Sequence, residues 1–162
     1  MLVKISVRNL IEFVMRSGDI DNRFHDNTRM IEGIRAHQAI QKKYGKNYKK
    51  EYSLKNITII DEVEFRVEGR ADGLISEKDG FVIDEIKSTS RALSEIDDSN
   101  RLHWAQAMCY AYFYALDNKL KTMSITLTYV SVEDYSTKIF RKSFSLKELK
   151  DFYYKLLEAV SY

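Results

Sequence analysis

Residues 69–87 hold two apolar runs around a short polar turn, Glu77-Lys78-Asp79-Gly80, and this commits the stretch to a β-hairpin. The Asp-Gly pair is the chemistry that tight hairpin turns favour. Side chains alternate faces along a strand, so Glu85 and Lys87 on the second strand project to one side. A two-residue loop at Lys78-Asp79 sets Asp72 of the first strand opposite Glu85. A loop at Asp79-Gly80 sets it opposite Lys87, and a bulge adds a third option. Either regular register gathers Asp72, Glu85 and Lys87 on one face. Asp84 has the other parity and is expected on the opposite face, with Val82 and Ile86.

Two carboxylates and a lysine on one face suggest a particular chemistry. Hard divalent cations such as Mg2+ take oxygen ligands and keep several waters. Held against a substrate phosphate, such an ion lowers the pKa of a bound water and neutralises charge developing in an in-line displacement. A neighbouring lysine can position that water or stabilise the anionic transition state. Glu85, not Asp84, is therefore the expected second ligand.

The remaining composition bounds this reading. A chain of 162 residues fits one domain with a single core. No apolar run approaches the roughly 20 residues that span a bilayer. The N-terminus lacks the apolar segment of a signal peptide. The single Cys109 excludes an internal disulfide and a four-cysteine cluster, and a reducing cytoplasm is the expected location. Net charge is only +2, so any nucleic-acid binding rests on local patches.

Residues 6–17 read as a helix, with Ser6 as N-cap, Gly18 as its stop and Val7, Leu10, Ile11, Val14 and Met15 as its apolar stripe. Residues 18–26 form a polar loop. Asp19 and Asp21 there are candidates for binding a cation, but loop composition favours plain solvation. A second helix spans 27–44, with Met30, Ile34, His37 and Tyr44 on one side. A lone histidine on such a stripe is usually a satisfied core residue. The segment from Lys42 to Lys50 carries Lys42, Lys43, Lys46, Lys49 and Lys50 with Tyr44 and Tyr48. It reads equally as a phosphate-tracking patch with stacking aromatics or as a solvated helix end, its lysines near the negative dipole pole.

Strands are expected over 51–60 and 63–75, with Val63, Phe65, Val67 and Ala71 facing one way and Glu64, Arg66, Glu68, Arg70 and Asp72 the other. Glu51 and Glu64 are further acidic candidates for the site. After a polar stretch from Ser88 to Ser99, a helix runs from Asn100 to Leu116. It is apolar nearly all round and so expected to pack on more than one side. Gln106 and Tyr110 sit four apart and share a face. By default one is an interior hydrogen-bonder and the other a packing residue. Strands follow over 123–132 and 136–144. A last helix opens on the capping box Ser145-Leu-Lys-Glu148 and buries Leu146, Leu149, Phe152, Tyr153, Leu156 and Val160. The pattern is still helical at Tyr162, as for a domain cut from a longer protein. This order of elements predicts an α/β fold, a central mixed sheet with helices on its faces.

The ordered set is more specific than any one part. It comprises Gly33-Ile-Arg-Ala-His37 on a helix, Gly69-Arg-Ala-Asp72 and Asp84-Glu85-Ile-Lys87 on strands, and Gln106-Ala-Met-Cys-Tyr110 on a helix. This set resembles the PD-(D/E)XK nucleases, in particular their RecB-like and Cas4-like branch, and implies a restriction-endonuclease-like core. Ala71 stands where the family name has proline, which that branch often lacks. The resemblance implies that His37, Asp72, Glu85 and the backbone carbonyl of Ile86 bind Mg2+ or Mn2+. It implies Lys87 as catalytic lysine, and Gln106 and Tyr110 as DNA-contacting or supporting. With one cysteine, the iron–sulfur cluster of many relatives is not inherited. Residues 6–21 further resemble the start of DinG-like, XPD-related bacterial helicases that bear an N-terminal nuclease domain. No Gly-x-x-x-x-Gly-Lys-Ser/Thr phosphate loop occurs, so the chain itself does not hydrolyse ATP by that chemistry.

The leading expectation is a metal-dependent deoxyribonuclease acting from DNA ends, with residues 1–162 as its nuclease domain. A second is a non-catalytic DNA-binding module that feeds strands to a helicase. A third is a structural α/β domain whose motifs arise by chance.

Overall fold

The computed structural model describes residues 1–16 and 30–160. The Gly18 stop, the loop with Asp19 and Asp21, the start of the helix expected from 27, and Tyr162 lie outside the described residues. In chain order the elements are β1 (Leu2–Ser6), α1 (Val7–Met15), α2 (Met30–Lys43), β2 (Tyr48–Ile60), β3 (Val63–Glu77) and β4 (Gly80–Thr89). A short 3-10 turn (Leu93–Glu95) leads to α3 (Arg101–Asp117), β5 (Thr122–Ser131), β6 (Thr137–Ser145) and α4 (Leu146–Val160).

The sheet is mixed, as expected. Its order is β1-β3-β4-β5-β6, with β2 pairing β3 along its length. β1–β3 and β4–β5 are parallel, and the other pairs antiparallel. The main core lies between one sheet face and α1, α3 and α4, and draws on Leu10, Phe65, Ile83, Phe113, Leu127 and Tyr153. On the other face α2 packs Ala36 and Ile40 against Ile86 and Val130. Helix α3 is buried over most of its length, because α1, α4 and the sheet enclose it. No described helix is long and apolar enough to cross a membrane.

Local signals explain the helix starts. The Ser6 hydroxyl accepts from the amide of Asn9, and Asn100 caps α3 by accepting from the amide of His103. Ser145 and Glu148 close the reciprocal capping box of α4, at 2.9 and 3.1 Å.

Three features depart from expectation. Strand β1 is added ahead of α1, because Leu2–Ser6 find a free edge of β3 to pair with. β2 begins at Tyr48, so Lys49 and Lys50 belong to a strand and not to a helix end. On α2, Met30 and Ile34 are exposed, and Ala36 and Ile40 form the buried face instead.

The hairpin takes the first of the two regular registers. Glu77 pairs with Gly80 around Lys78-Asp79, and the ladder continues to Gly73 opposite Asp84. Strict alternation then fails. Ala71 and Leu74, three apart, both enter the same core cluster, and the β2–β3 ladder skips the pair formed by Glu51 and Asp72. Glu51 takes a left-handed φ of 52° at that point.

Candidate active site

The irregularity at Asp72 lies where β3 and β4 cease to pair as ordinary strands. From there side chains take over the work of the ladder. The Ile86 amide donates to Asp72 Oδ2 at 2.7 Å, and the Asp72 amide donates to Glu85 Oε1 at 3.3 Å. Both carboxylates are thereby fixed by backbone N–H groups, one from each strand. Lys87, two residues on and on the same side as Glu85, holds its Nζ 4.0 Å from Glu85 Oε2 and donates to Gln106 Oε1 at 2.9 Å. Gln106 comes from α3, which crosses this face of the sheet.

These groups open into a pocket of about 560 Å3 that His37, Glu51, Asp72, Glu85, Lys87 and Gln106 help to line. Tyr110 lines it too but is only 4% exposed. Its hydroxyl sits where a Cβ on Gly69 would stand, 2.7 Å away, so Gly69 is what lets α3 approach β3. His37 reaches in from α2, its Nδ1 3.9 Å from Asp72 Oδ1. Gln41, one turn further, donates to Glu51 Oε1 and to the Asp72 carbonyl, both at 3.0 Å.

Burial sets the electrostatics. It pushes the Asp72 carboxyl up to about 6, against the Ile86 amide and Lys87, which pull it down. Glu85 is raised well above the carboxylate range by burial and then by Asp72. His37 is lowered by burial and by Lys87, so its imidazole is neutral at neutral pH. Two carboxylates driven toward protonation beside a neutral imidazole form an oxygen-rich donor set that suits a hard divalent cation. Among the described residues no three His, Cys, Asp or Glu side chains are already drawn together around a common point. Asp72 and Glu85 spend an oxygen each on backbone amides instead.

Asp84 does face away, as its parity requires, and is fully buried there. It accepts from Thr126 at 2.8 Å, Thr128 at 2.6 Å and the Tyr48 hydroxyl at 3.0 Å. Burial raises its pKa and the three hydrogen bonds oppose that rise. A buried carboxylate satisfied in this way ties β2, β4 and β5 together beneath the pocket.

Several sequence candidates stand elsewhere. Lys42, Lys43 and Lys46 lie at and beyond the end of α2 and do not line the pocket; the Lys43 ammonium donates to the Tyr135 carbonyl at 3.5 Å. Tyr44 and Tyr48 stack on each other with centroids 4.2 Å apart, and the Tyr48 hydroxyl donates to Asp84. Glu64 pairs with Arg66 on the β1 side of β3, away from the pocket. Conversely, Ser6, Arg8, Arg70 and Ser88 line the pocket and carried no signal of their own. Arg70 sits inside the Gly-Arg-Ala-Asp stretch and Arg8 follows the cap of α1. Only the pairing of β1 with β3 brings them together.

A mixed sheet flanked by helices, with an acid on one strand and an acid-x-Lys on the next, defines a restriction-endonuclease-like nuclease fold. Residues 16–161 match the PD-(D/E)XK nuclease superfamily, and the chain belongs to it. A solved structure titled SSO0001 is similar at a TM-score of 0.57 and 15% identity, over 96% of this chain and 75% of that one. An alkaline exonuclease from Laribacter hongkongensis, LHK-Exo, is similar at a TM-score of 0.55 and 10% identity, over 98% of this chain and 86% of that one. No curated protein sequence matches the chain.

Proposed function

We propose that this chain is a Mg2+- or Mn2+-dependent deoxyribonuclease that hydrolyses phosphodiester bonds from DNA ends, in repair or processing of DNA. The observation that carries the reading is the meeting of Asp72, Glu85 and Lys87 in one pocket, with Gln106 holding the lysine at 2.9 Å. Action from ends draws support from the likeness to a structure titled as an alkaline exonuclease. Asp72, Glu85, His37 and the Ile86 carbonyl would hold the ion, which supplies an activated water and offsets charge on the phosphate.

The chain's own groups supply the rest. The Lys87 ammonium presents donors to an attacking water or to the anionic phosphate. Gln106 fixes its direction by accepting one of its hydrogens. Tyr110, packed on Gly69, sets the spacing between α3 and β3 and is a positioning residue. Neutral His37 offers a softer nitrogen, which is compatible with Mn2+. The order of the motifs favours the RecB-like and Cas4-like branch, without an iron–sulfur cluster. The likeness of residues 6–21 to DinG-like helicases favours a nuclease domain that works beside a helicase in the cytoplasm.

The test is linear and circular DNA, single- and double-stranded, incubated with the protein in Mg2+, Mn2+ or EDTA. Metal-dependent loss of linear but not circular substrate is expected. Equal loss of circles would replace the exonuclease by an endonuclease. No cleavage in any metal, with DNA still bound, would turn the reading into the accessory module.

A further inference from the structure

The acidic pocket continues on both sides. A lobe of about 490 Å3, lined by Ser53, Lys55 and Glu68, joins it through Ser6, Gly69 and Arg70, which line both. On the other side a lobe of about 150 Å3 between α1 and α3, lined by Leu102 and His103, shares Arg8, Lys87 and Gln106 with it. The three form one groove that passes over the first turn of α1.

Charge along this groove is ordered. Its middle is acidic, with Glu51, Asp72 and Glu85. Its shoulders carry exposed cations, Lys55 and Arg70 toward β2 and Arg8 toward α3. Glu68 offsets part of the first shoulder. Arg70 makes no ion pair among the described residues. Among the described residues Arg8 pairs with Glu12 alone, at 3.6 Å, and both side chains are largely exposed. An exposed pair of this kind is worth little and exchanges readily for a phosphate. Among the described residues the rings that line the groove are the half-buried imidazoles of His37 and His103 and the buried phenol of Tyr110, and none presents an exposed aromatic face. The groove therefore meets backbone and not stacked bases. A single line of cations matches a single phosphate backbone, and a backbone that is to reach buried Glu85 must enter the groove itself.

We propose that the groove carries one DNA strand through the site, with Arg70 and Lys55 binding phosphate on one side of the scissile bond and Arg8 on the other. The proposal rests on the nuclease reading and names the residues that give that site its substrate. Binding is then electrostatic, indifferent to sequence and steeply salt-dependent.

The test is fluorescence anisotropy of labelled single-stranded oligodeoxynucleotides, read in Ca2+ and in EDTA across a salt series, with cleavage in Mn2+ measured in parallel. Arg8→Ala and Arg70→Ala are each expected to weaken binding about tenfold and to flatten the salt slope by about 0.7, one phosphate's share on a single strand. Both side chains are exposed, so the variants should keep the wild-type melting temperature. Arg70→Lys should recover part of the loss, because a phosphate accepts either cation. Lys42→Ala, Lys43→Ala and Lys46→Ala should bind as wild type. If Arg8→Ala and Arg70→Ala bind and cleave like wild type, the groove assignment is overturned and the nuclease reading stands. If instead the three lysine variants lose affinity, the strand runs over the end of α2 and the groove assignment is also overturned. A wild-type protein that neither binds nor cleaves DNA in any metal removes both.

Discussion

At Asp72 a carboxylate is held beside a second carboxylate in a largely buried setting, and burial lifts its pKa to about 6. Its folded-state value lies above the ordinary 3.8, so the charged form costs stability as pH rises through 6. In EDTA, Asp72→Asn should therefore be more stable than wild type at pH 8, by ~1–3 kcal/mol in equilibrium unfolding. The gain should shrink as pH falls below 6 and vanish below 3.8, where both states are protonated. A variant no more stable than wild type at pH 8 would show that the site stores no such strain. Gly69→Ala tests the packing of Tyr110. The new Cβ would stand 2.7 Å from the hydroxyl at the end of the buried Tyr110 ring. A loss of ~1–3 kcal/mol is expected in chemical denaturation. At this scale the sequence was informative about charge and parity. Asp72, Glu85 and Lys87 share a pocket, and Asp84 faces away, as alternation along β4 requires. Its partners Tyr48, Thr126 and Thr128 could not be read, because strand pairing across forty residues leaves no local mark.

Among the elements, those with strong local signals formed as read. The capping box of α4 and the Asn100 cap of α3 are chemistry between residues three apart. Ser145→Ala should cost about 1 kcal/mol in equilibrium unfolding. The turn between β2 and β3 carries Asp61 at φ 48° and Glu62 at φ 66°, between the paired Ile60 and Val63. Two left-handed residues in a two-residue loop call for glycine. Glu62→Gly should stabilise by about 0.5–1 kcal/mol, and a loss of stability would contradict that account of the turn. Elements that depend on distant partners were not legible. β1 is five residues long and exists because β3 offers an edge. The buried face of α2 is Ala36 and Ile40, not Met30 and Ile34, because Ala36 and Ile40, one turn apart, are the pair that meets Ile86 and Val130 of the sheet. The kink at Asp72 and Glu51 breaks the period on which strand reading depends.

For the whole molecule, four elements contribute side chains to one pocket. β3 contributes Asp72, β4 contributes Glu85 and Lys87, and α3 contributes Gln106, while α2 leans His37 in from the opposite face. A divalent cation should bind this folded arrangement and not the unfolded chain. Mn2+ at 100 times its Kd should then add about 2.7 kcal/mol of stability, reversed by EDTA and lost in the doubly substituted Asp72→Asn, Glu85→Gln protein. The central claim is that this assembled pocket cleaves DNA through Lys87 and its neighbouring carboxylates. The most direct measurement is the single-turnover cleavage rate of end-labelled single-stranded DNA in Mn2+, for wild type and for Lys87→Ala. The account predicts cleavage by wild type and at least a hundredfold slower cleavage by Lys87→Ala, with the melting temperature and Mn2+ affinity of the variant close to wild type. Lys87→Ala cleaving at the wild-type rate would contradict it.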